Sequence, residues 1–208
     1  MSSTAAAATH ASVERNELRR EMRRRRRRLT TADQAIAARA FARVLKRSGR
    51  LRPGTHVAIY HRHGHEADPS AIIALARRLR CTLYLPVITR RRSQKMEFLR
   101  FDADTPLRTN SFGILEPDRQ RNPCIPPRRL DLILLPVLAV DAQGWRLGSG
   151  AGYYDRRLNF LRAGRRWRRP KLIGIAYAFQ LVPRLKAESW DVPLDAVVTE
   201  QGFHPFNL

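Results

Sequence analysis

Apolar residues in this chain recur in two ways, at helical spacing and in short unbroken or alternating runs, and the two patterns take turns along the sequence. Residues 1–12 are small and polar with nothing to bury, which predicts a disordered tail. From about Val13 to Leu29 the spacing is helical, with Leu18, Met22 and Leu29 as sparse apolar contacts. Thr30 or Thr31 can cap a second helix carrying Ile36, Ala40, Phe41, Val44 and Leu45 on one face. A turn over 49–54 leads to a strand at His56–His61, and Pro69 opens a helix with Ile72, Ile73, Ala76 and Leu79 inward. Thr82–Ile88 reads as a strand, a basic loop follows, and Lys95–Phe101 alternates through Met96 and Phe98 as the next strand. A proline-rich connector at 121–129 precedes a near-continuous apolar run, Leu132 to Val140, broken only by Pro136. Such a run predicts a strand covered on both faces. Leu158, Phe160 and Leu161 resume the helical spacing, Lys171–Tyr177 is a strand ending near Gln180, and 190–200 closes the sheet.

Strands alternating with helices predict a three-layer α/β fold, with a largely parallel central sheet, helices on both faces and a basic N-terminal helix. One domain is expected over 13–203, flanked by the tail 1–12 and a short C-terminal tail at 204–208. Ligands of such sheets bind at the carboxyl ends of the strands.

That end of the Leu132–Val140 run is where the chemistry concentrates. Gly144 to Arg157 reads G-W-R-L-G-S-G-A-G-Y-Y-D-R-R, giving strand, glycine-rich loop and helix in succession. Glycines at 148, 150 and 152 remove three Cβ atoms from one turn, so backbone N–H groups can close around an anion. Arg146 brings a permanent cation, and Asp155 at the helix start offers a carboxylate to a metal. Polyphosphate and Mg²⁺ chemistry suits this set. The loop is not a Walker loop, because no lysine follows a glycine in that register, and it is not a G-x-G-x-x-G fingerprint, because Gly152 comes one residue early.

R-L-G-x-G-x-G-Y-Y-D-R resembles the signature of 5-formyltetrahydrofolate cyclo-ligases, also called 5,10-methenyltetrahydrofolate synthetases. Weaker likenesses run from Glu14 to Glu200: a basic helix ending in Leu29-Thr30, a G-I-x-E-P-like element in 111–117, and G-x-A-Y-x-x-Q ending at Gln180. The resemblance implies ATP-dependent cyclisation of 5-formyltetrahydrofolate to 5,10-methenyltetrahydrofolate, releasing ADP and phosphate, by phosphorylation of the formyl oxygen and ring closure by N10. It implies that Arg15, Arg19 and Arg146 reach the ATP phosphates, together with Gly148, Ser149, Gly150, Ala151, Gly152 and Tyr153. It places the folate against His61, Glu66 and the same loop from Ser149 to Tyr153, with Arg146 and Tyr153 acting in catalysis. It assigns Mg²⁺ to Asp155 and Asp191. Ser149 and Ala151 stand where the family often has larger or basic residues, and His61 where an apolar residue is more usual.

Charge adds one rival reading and the histidine segment another. The chain carries a net charge of +22, and residues 1–52 hold fifteen Lys and Arg against four Asp and Glu. The run Arg23–Arg28 and the cluster at Arg162, Arg165, Arg166, Arg168, Arg169 and Lys171 can attract nucleic acid nonspecifically, and an RNA-binding protein is one alternative. A zinc enzyme at His61, His63 and His65, which alternate beside Glu66 and Asp68, is the other. Two distant cysteines without a C-x-x-C pair, no apolar run of membrane-spanning length and no secretory leader point to a cytoplasmic protein, expected as a monomer without a membrane partner.

Overall fold

The computed structural model describes residues 2–90, 95–111, 113–162 and 169–207; the expected basic loop at 91–94 and three arginines of the second cluster, at 165, 166 and 168, lie outside them. Helix α1 spans Ser2–Arg27 and α2 spans Thr31–Arg47. Strand β1 (His56–Ala58) and helix α3 (Ser70–Arg78) follow, then β2 (Thr82–Arg90), β3 (Lys95–Arg100), β4 (Leu107–Thr109), β5 (Leu115–Pro117) and β6 (Cys124–Ile125). The second half holds β7 (Leu132–Pro136), β8 (Ala139–Asp141), β9 (Arg146–Leu147), α4 (Tyr153–Leu158), β10 (Lys171–Ile175), β11 (Leu181–Val182), β12 (Ala196–Val198) and β13 (Phe203–Pro205). None of these helices is long and apolar enough to cross a membrane.

The main sheet runs β13-β12-β10-β7-β1-β2-β3-β6. Its middle, from β12 to β2, is parallel, while β13, β3 and β6 join antiparallel at the edges. Successive residues of each inner strand point to opposite layers. Val57, Leu132, Leu134, Ile173 and Ile175 pack with Phe41, Leu45, Ile72 and Ala76 of α2 and α3. Ala58, Ile133, Leu135, Leu172 and Val197 pack with Leu158, Tyr153 and Tyr154 of α4. Both faces are thus covered, which is why the β7 run reads as continuously apolar.

Local chemistry sets the boundaries. Thr30 caps α2: its Oγ1 accepts from Asp33 N–H at 3.1 Å while Asp33 Oδ2 accepts from Thr30 N–H at 3.0 Å. The apolar face of α2 is turned from the one expected, with Ala37, Phe41 and Leu45 buried and Ile36 57 % exposed. Helix α1 begins at Ser2, not near Val13, and takes in four consecutive alanines, Ala5–Ala8, the residue of highest helix propensity. Residues expected as a C-terminal tail belong to β13, where His204 and Pro205 pair with Val197 and Ala196.

The larger departure lies after β7. The expected strand through Val140 ends at Pro136, and the chain crosses into a second sheet, β11-β8-β9, before reaching the glycine loop. Buried Asp141 fixes this β8–β9 hairpin by accepting from Gln143, Trp145 and Leu185 N–H groups at 2.9–3.0 Å. Gly144 completes the turn at φ +84, where a Cβ would meet Leu194 O at 2.7 Å. Met22 of α1 packs on this small sheet with Leu138, Ala139, Leu147 and Leu185. The hairpin therefore docks α1 against the loop.

Candidate active site

A cavity of about 570 Å³ opens at the carboxyl ends of β1, β2 and β7. Its wall includes Arg23, Arg26 and Arg27 of α1, the segment from Tyr60 to Glu66 after β1, Asn110 and Ile114–Glu116 of the β4–β5 hairpin, and the stretch from Arg146 to Asp155. That volume lies in the ordinary range for small-molecule sites.

The glycine loop is held by its carbonyls. Arg19 Nε donates to Gly148 O at 3.1 Å, Arg23 Nη2 to Ser149 O at 3.1 Å, and Arg156 Nη2 to Ala151 O at 2.6 Å. With those oxygens occupied, the N–H groups from Gly148 to Asp155 take no partner among the described residues. Gly150 at φ +112 and Gly152 at φ +65 adopt backbone that L side chains avoid. A Cβ on Gly148 would touch nothing within 4 Å, so packing alone does not demand glycine there. The loop is built to present donors.

Arg146 is no loop residue. It belongs to β9 with its side chain 4 % exposed, donating to Asp155 Oδ1 at 2.5 Å and to Val192 O. Burial lowers the Arg146 pKa against the pull of Asp155 and Asp191. Burial likewise raises Asp155, with Arg146 opposing and Asp191 adding to the shift. For both partners, desolvation outweighs pairing. Asp191 is buried behind them, its Oδ2 accepting from Arg15 Nη1 at 3.1 Å and from Glu188 N–H at 2.9 Å. Arg15 also donates to Lys186 O at 2.8 Å. Arg15 and Arg19 do share one face of α1, but they brace Asp191 and the loop, and the wall itself is formed by Arg23, Arg26 and Arg27.

Glu66 lines the far side, its Oε2 accepting from His63 N–H at 3.2 Å. Burial raises its pKa, opposed by that N–H and by Arg26. Tyr60 and Tyr154, facing the same carboxylate, are pushed well up by burial. Tyr153 is half-buried in the wall with Arg156 5.4 Å over its ring. His61, half-buried, has Nδ1 3.4 Å from Arg62 O. The zinc reading finds no support: β1 ends at Ala58 and Gly64 turns the chain at φ +55, so His61, His63 and His65 line the cavity from an irregular segment, not as alternate positions of a strand. The described residues contain no group of three or more His, Cys, Asp or Glu able to hold a metal.

Sequence reasoning missed Arg23, Arg26, Tyr60 and Tyr154. The i+4 and i+7 steps from Arg19 were available to find the two arginines, since Arg15 and Arg19 had fixed the face.

The family model described as "5-formyltetrahydrofolate cyclo-ligase family" matches residues 11–200. The 5-formyltetrahydrofolate cyclo-ligase of Haemophilus influenzae is 33 % identical over 183 residues, covering 87 % of this chain and 95 % of that protein. Its Escherichia coli K12 namesake is 35 % identical over 145 residues, covering 69 % of this chain and 76 % of the relative. Among solved structures, the 5,10-methenyltetrahydrofolate synthetase of Aquifex aeolicus superposes with a TM-score of 0.77 at 27 % identity, covering 93 % of each chain.

Proposed function

The chain belongs to the 5-formyltetrahydrofolate cyclo-ligase family, and from that membership we propose that it uses ATP to cyclise 5-formyltetrahydrofolate to 5,10-methenyltetrahydrofolate, releasing ADP and phosphate. The observation that carries this reading is the glycine loop, whose carbonyls are tied back while the N–H groups from Gly148 to Asp155 stay unspent beside the cavity. Such a run of donors suits phosphate oxygens.

A formamide oxygen is a poor leaving group, so N10 cannot close the ring by expelling it unaided. In the proposed course the formyl oxygen attacks the terminal phosphorus of ATP and the bond to ADP breaks. N10 then adds to the formyl carbon, its proton passes to solvent, and the C–O bond breaks with its electrons on the departing phosphate. The protein contributes position and charge neutralisation. Gly148, Ser149, Gly150, Ala151 and Gly152 hold the phosphates through their N–H groups. Arg19 and Arg23 fix that loop, Arg15 orients Asp191, and Arg146 fixes Asp155. Glu66 accepts from the aminopyrimidinone N–H donors of the folate. Tyr153 and His61 flank the folate in the wall.

Asp155 fits a divalent cation. It is a hard oxygen donor in the wall, its charge partly balanced by Arg146, and its Oδ2 enters no hydrogen bond among the described residues. Asp191 Oδ1 is likewise unspent, one layer deeper. Mg²⁺ held there would supply neutralisation of phosphate charge.

Labelling the formyl oxygen with ¹⁸O tests the course directly. The label is expected in inorganic phosphate; label released as water would rule out phosphorylation of that oxygen.

A further inference from the structure

Among the described residues of the cavity wall, one cation has a buried donor without a partner. Arg26 is 5 % exposed. Its Nη2 donates to Val137 O, but Nε is buried with no partner among the described residues. A guanidinium offers five N–H donors and accepts nothing, so an oxygen entering the cavity can take up donors that the protein leaves over. Leaving a buried donor unmade costs stability, and a folded chain retains such a group where it is used.

Its place on α1 says which oxygen. Arg15, Arg19, Arg23 and Arg26 climb one side of the helix, and the first three end on Asp191, Gly148 O and Ser149 O. Arg26 comes next, in the same cavity wall as the loop, and its charge is felt by Glu66 and Tyr60. The series thus passes from the phosphate side of the site to the folate side, and Arg26 stands on the folate side. The exocyclic formyl group projects from the folate ring system that Glu66 is assigned to hold, so a phosphoryl group arriving from the loop meets it in this region.

We propose that Arg26 is a further catalytic residue, donating to the phosphoryl group once it sits on the formyl oxygen. This rests on the reading of the site as a cyclo-ligase centre. When N10 closes the ring, the C–O bond breaks and its electron pair returns to the bridging oxygen. Arg26 balances the negative charge that appears on the departing phosphate, in a buried setting where a fixed cation acts strongly. The contact forms only after phosphoryl transfer, so it affects turnover more than the binding of either substrate alone.

The test compares Arg26→Gln and Arg26→Lys with the unmodified chain. Val137 O keeps a donor in both, because Gln180 Nε2 also reaches it at 2.7 Å, so folding should survive. Arg26→Gln is expected to lower kcat about 100- to 1,000-fold, and Arg26→Lys, which keeps the cation, to recover about tenfold of that loss. Calorimetric dissociation constants for ATP and for 5-formyltetrahydrofolate, each measured alone, should stay within about threefold. A folded Arg26→Gln with unchanged kcat overturns the proposal, and so does a loss of ATP affinity as large as the loss of kcat. If Arg26→Gln does not fold, Arg26→Lys decides: a reduced kcat with both dissociation constants retained supports the role, and an unchanged kcat removes it. An unmodified chain that forms no methenyl product would instead overturn the cyclo-ligase reading, while an active one leaves Arg26 to be judged separately.

Discussion

Replacing Arg146 by alanine should unfold this protein more readily than its position beside a glycine loop suggests. The side chain is 4 % exposed and is the ion-pair partner of Asp155, itself 23 % exposed, at 2.5 Å. Without it Asp155 Oδ1 keeps only a long contact to Val192 N–H at 3.4 Å, and Val192 O loses the donor that Arg146 supplied. Removing one partner of a buried pair costs about 3–5 kcal/mol, and the residual exposure of Asp155 argues for the lower half of that range. The orphaned carbonyl adds about 1 kcal/mol, giving roughly 4–5 kcal/mol in all. With a urea slope of about 2–3 kcal/mol per molar, the midpoint should fall by about 1.3–2.5 M. Urea titration followed by far-ultraviolet circular dichroism measures this for Arg146→Ala, Asp155→Asn and the double variant. The double variant should be less destabilised than the sum of the two, because the neutral amide introduced by Asp155→Asn leaves no charge to strand. A midpoint for Arg146→Ala within about 0.2 M of the unmodified chain, or strict additivity, would refute the pairing argument.

Three further variants test the same structure. Glu66→Gln should weaken 5-formyltetrahydrofolate binding while sparing ATP, because it replaces an acceptor oxygen by a donor, and KM for each substrate measures this. The same variant should be more stable than the parent at neutral pH: burial raises the folded pKa of Glu66, so the parent loses stability as pH rises through that pKa. The advantage should shrink as pH falls below it, and a gap in urea midpoint that stays constant from about pH 4 to 8 would contradict the assignment. Arg20, Arg24 and Arg28 are exposed and outside the cavity wall, so changing all three to Gln should keep turnover within about threefold while flattening the salt dependence of nonspecific RNA binding. Gly144→Ala should cost about 2 kcal/mol or more, since its φ of +84 and the 2.7 Å approach of Leu194 O leave no room for a methyl, and thermal unfolding reads the loss.

Much of this was legible in the chain. The Leu132–Pro136 run announced a strand covered on both faces, and Thr30 with Asp33 announced the start of α2. Glycines 148, 150 and 152 announced the loop, and Gly150 and Gly152 take positive φ values that side chains avoid. What stayed hidden depends on partners distant in sequence. Arg146 and Leu147 read as loop because a two-residue strand has no period, and only the Asp141 turn 44 residues before Leu185 makes it one. The run Arg23–Arg28 carries no phase of its own, since identical neighbours cannot reveal which face is inward; the phase comes from outside the run, from the Arg15–Arg19 face and from Met22, 3 % exposed. His61 read as the end of β1, yet the pairing with β2 and β7 stops at Ala58 and leaves the histidines on an irregular segment.

The central claim is that the loop and Glu66 serve one ATP-driven ring closure in a shared cavity. The most direct measurement follows the near-ultraviolet absorbance of 5,10-methenyltetrahydrofolate when the purified chain is given 5-formyltetrahydrofolate, Mg²⁺ and either ATP or no nucleotide, with ADP quantified in parallel. The account predicts methenyl product only with ATP, and one ADP formed for each product molecule. Product at the same rate without nucleotide, or ADP released with no methenyl product, would contradict it.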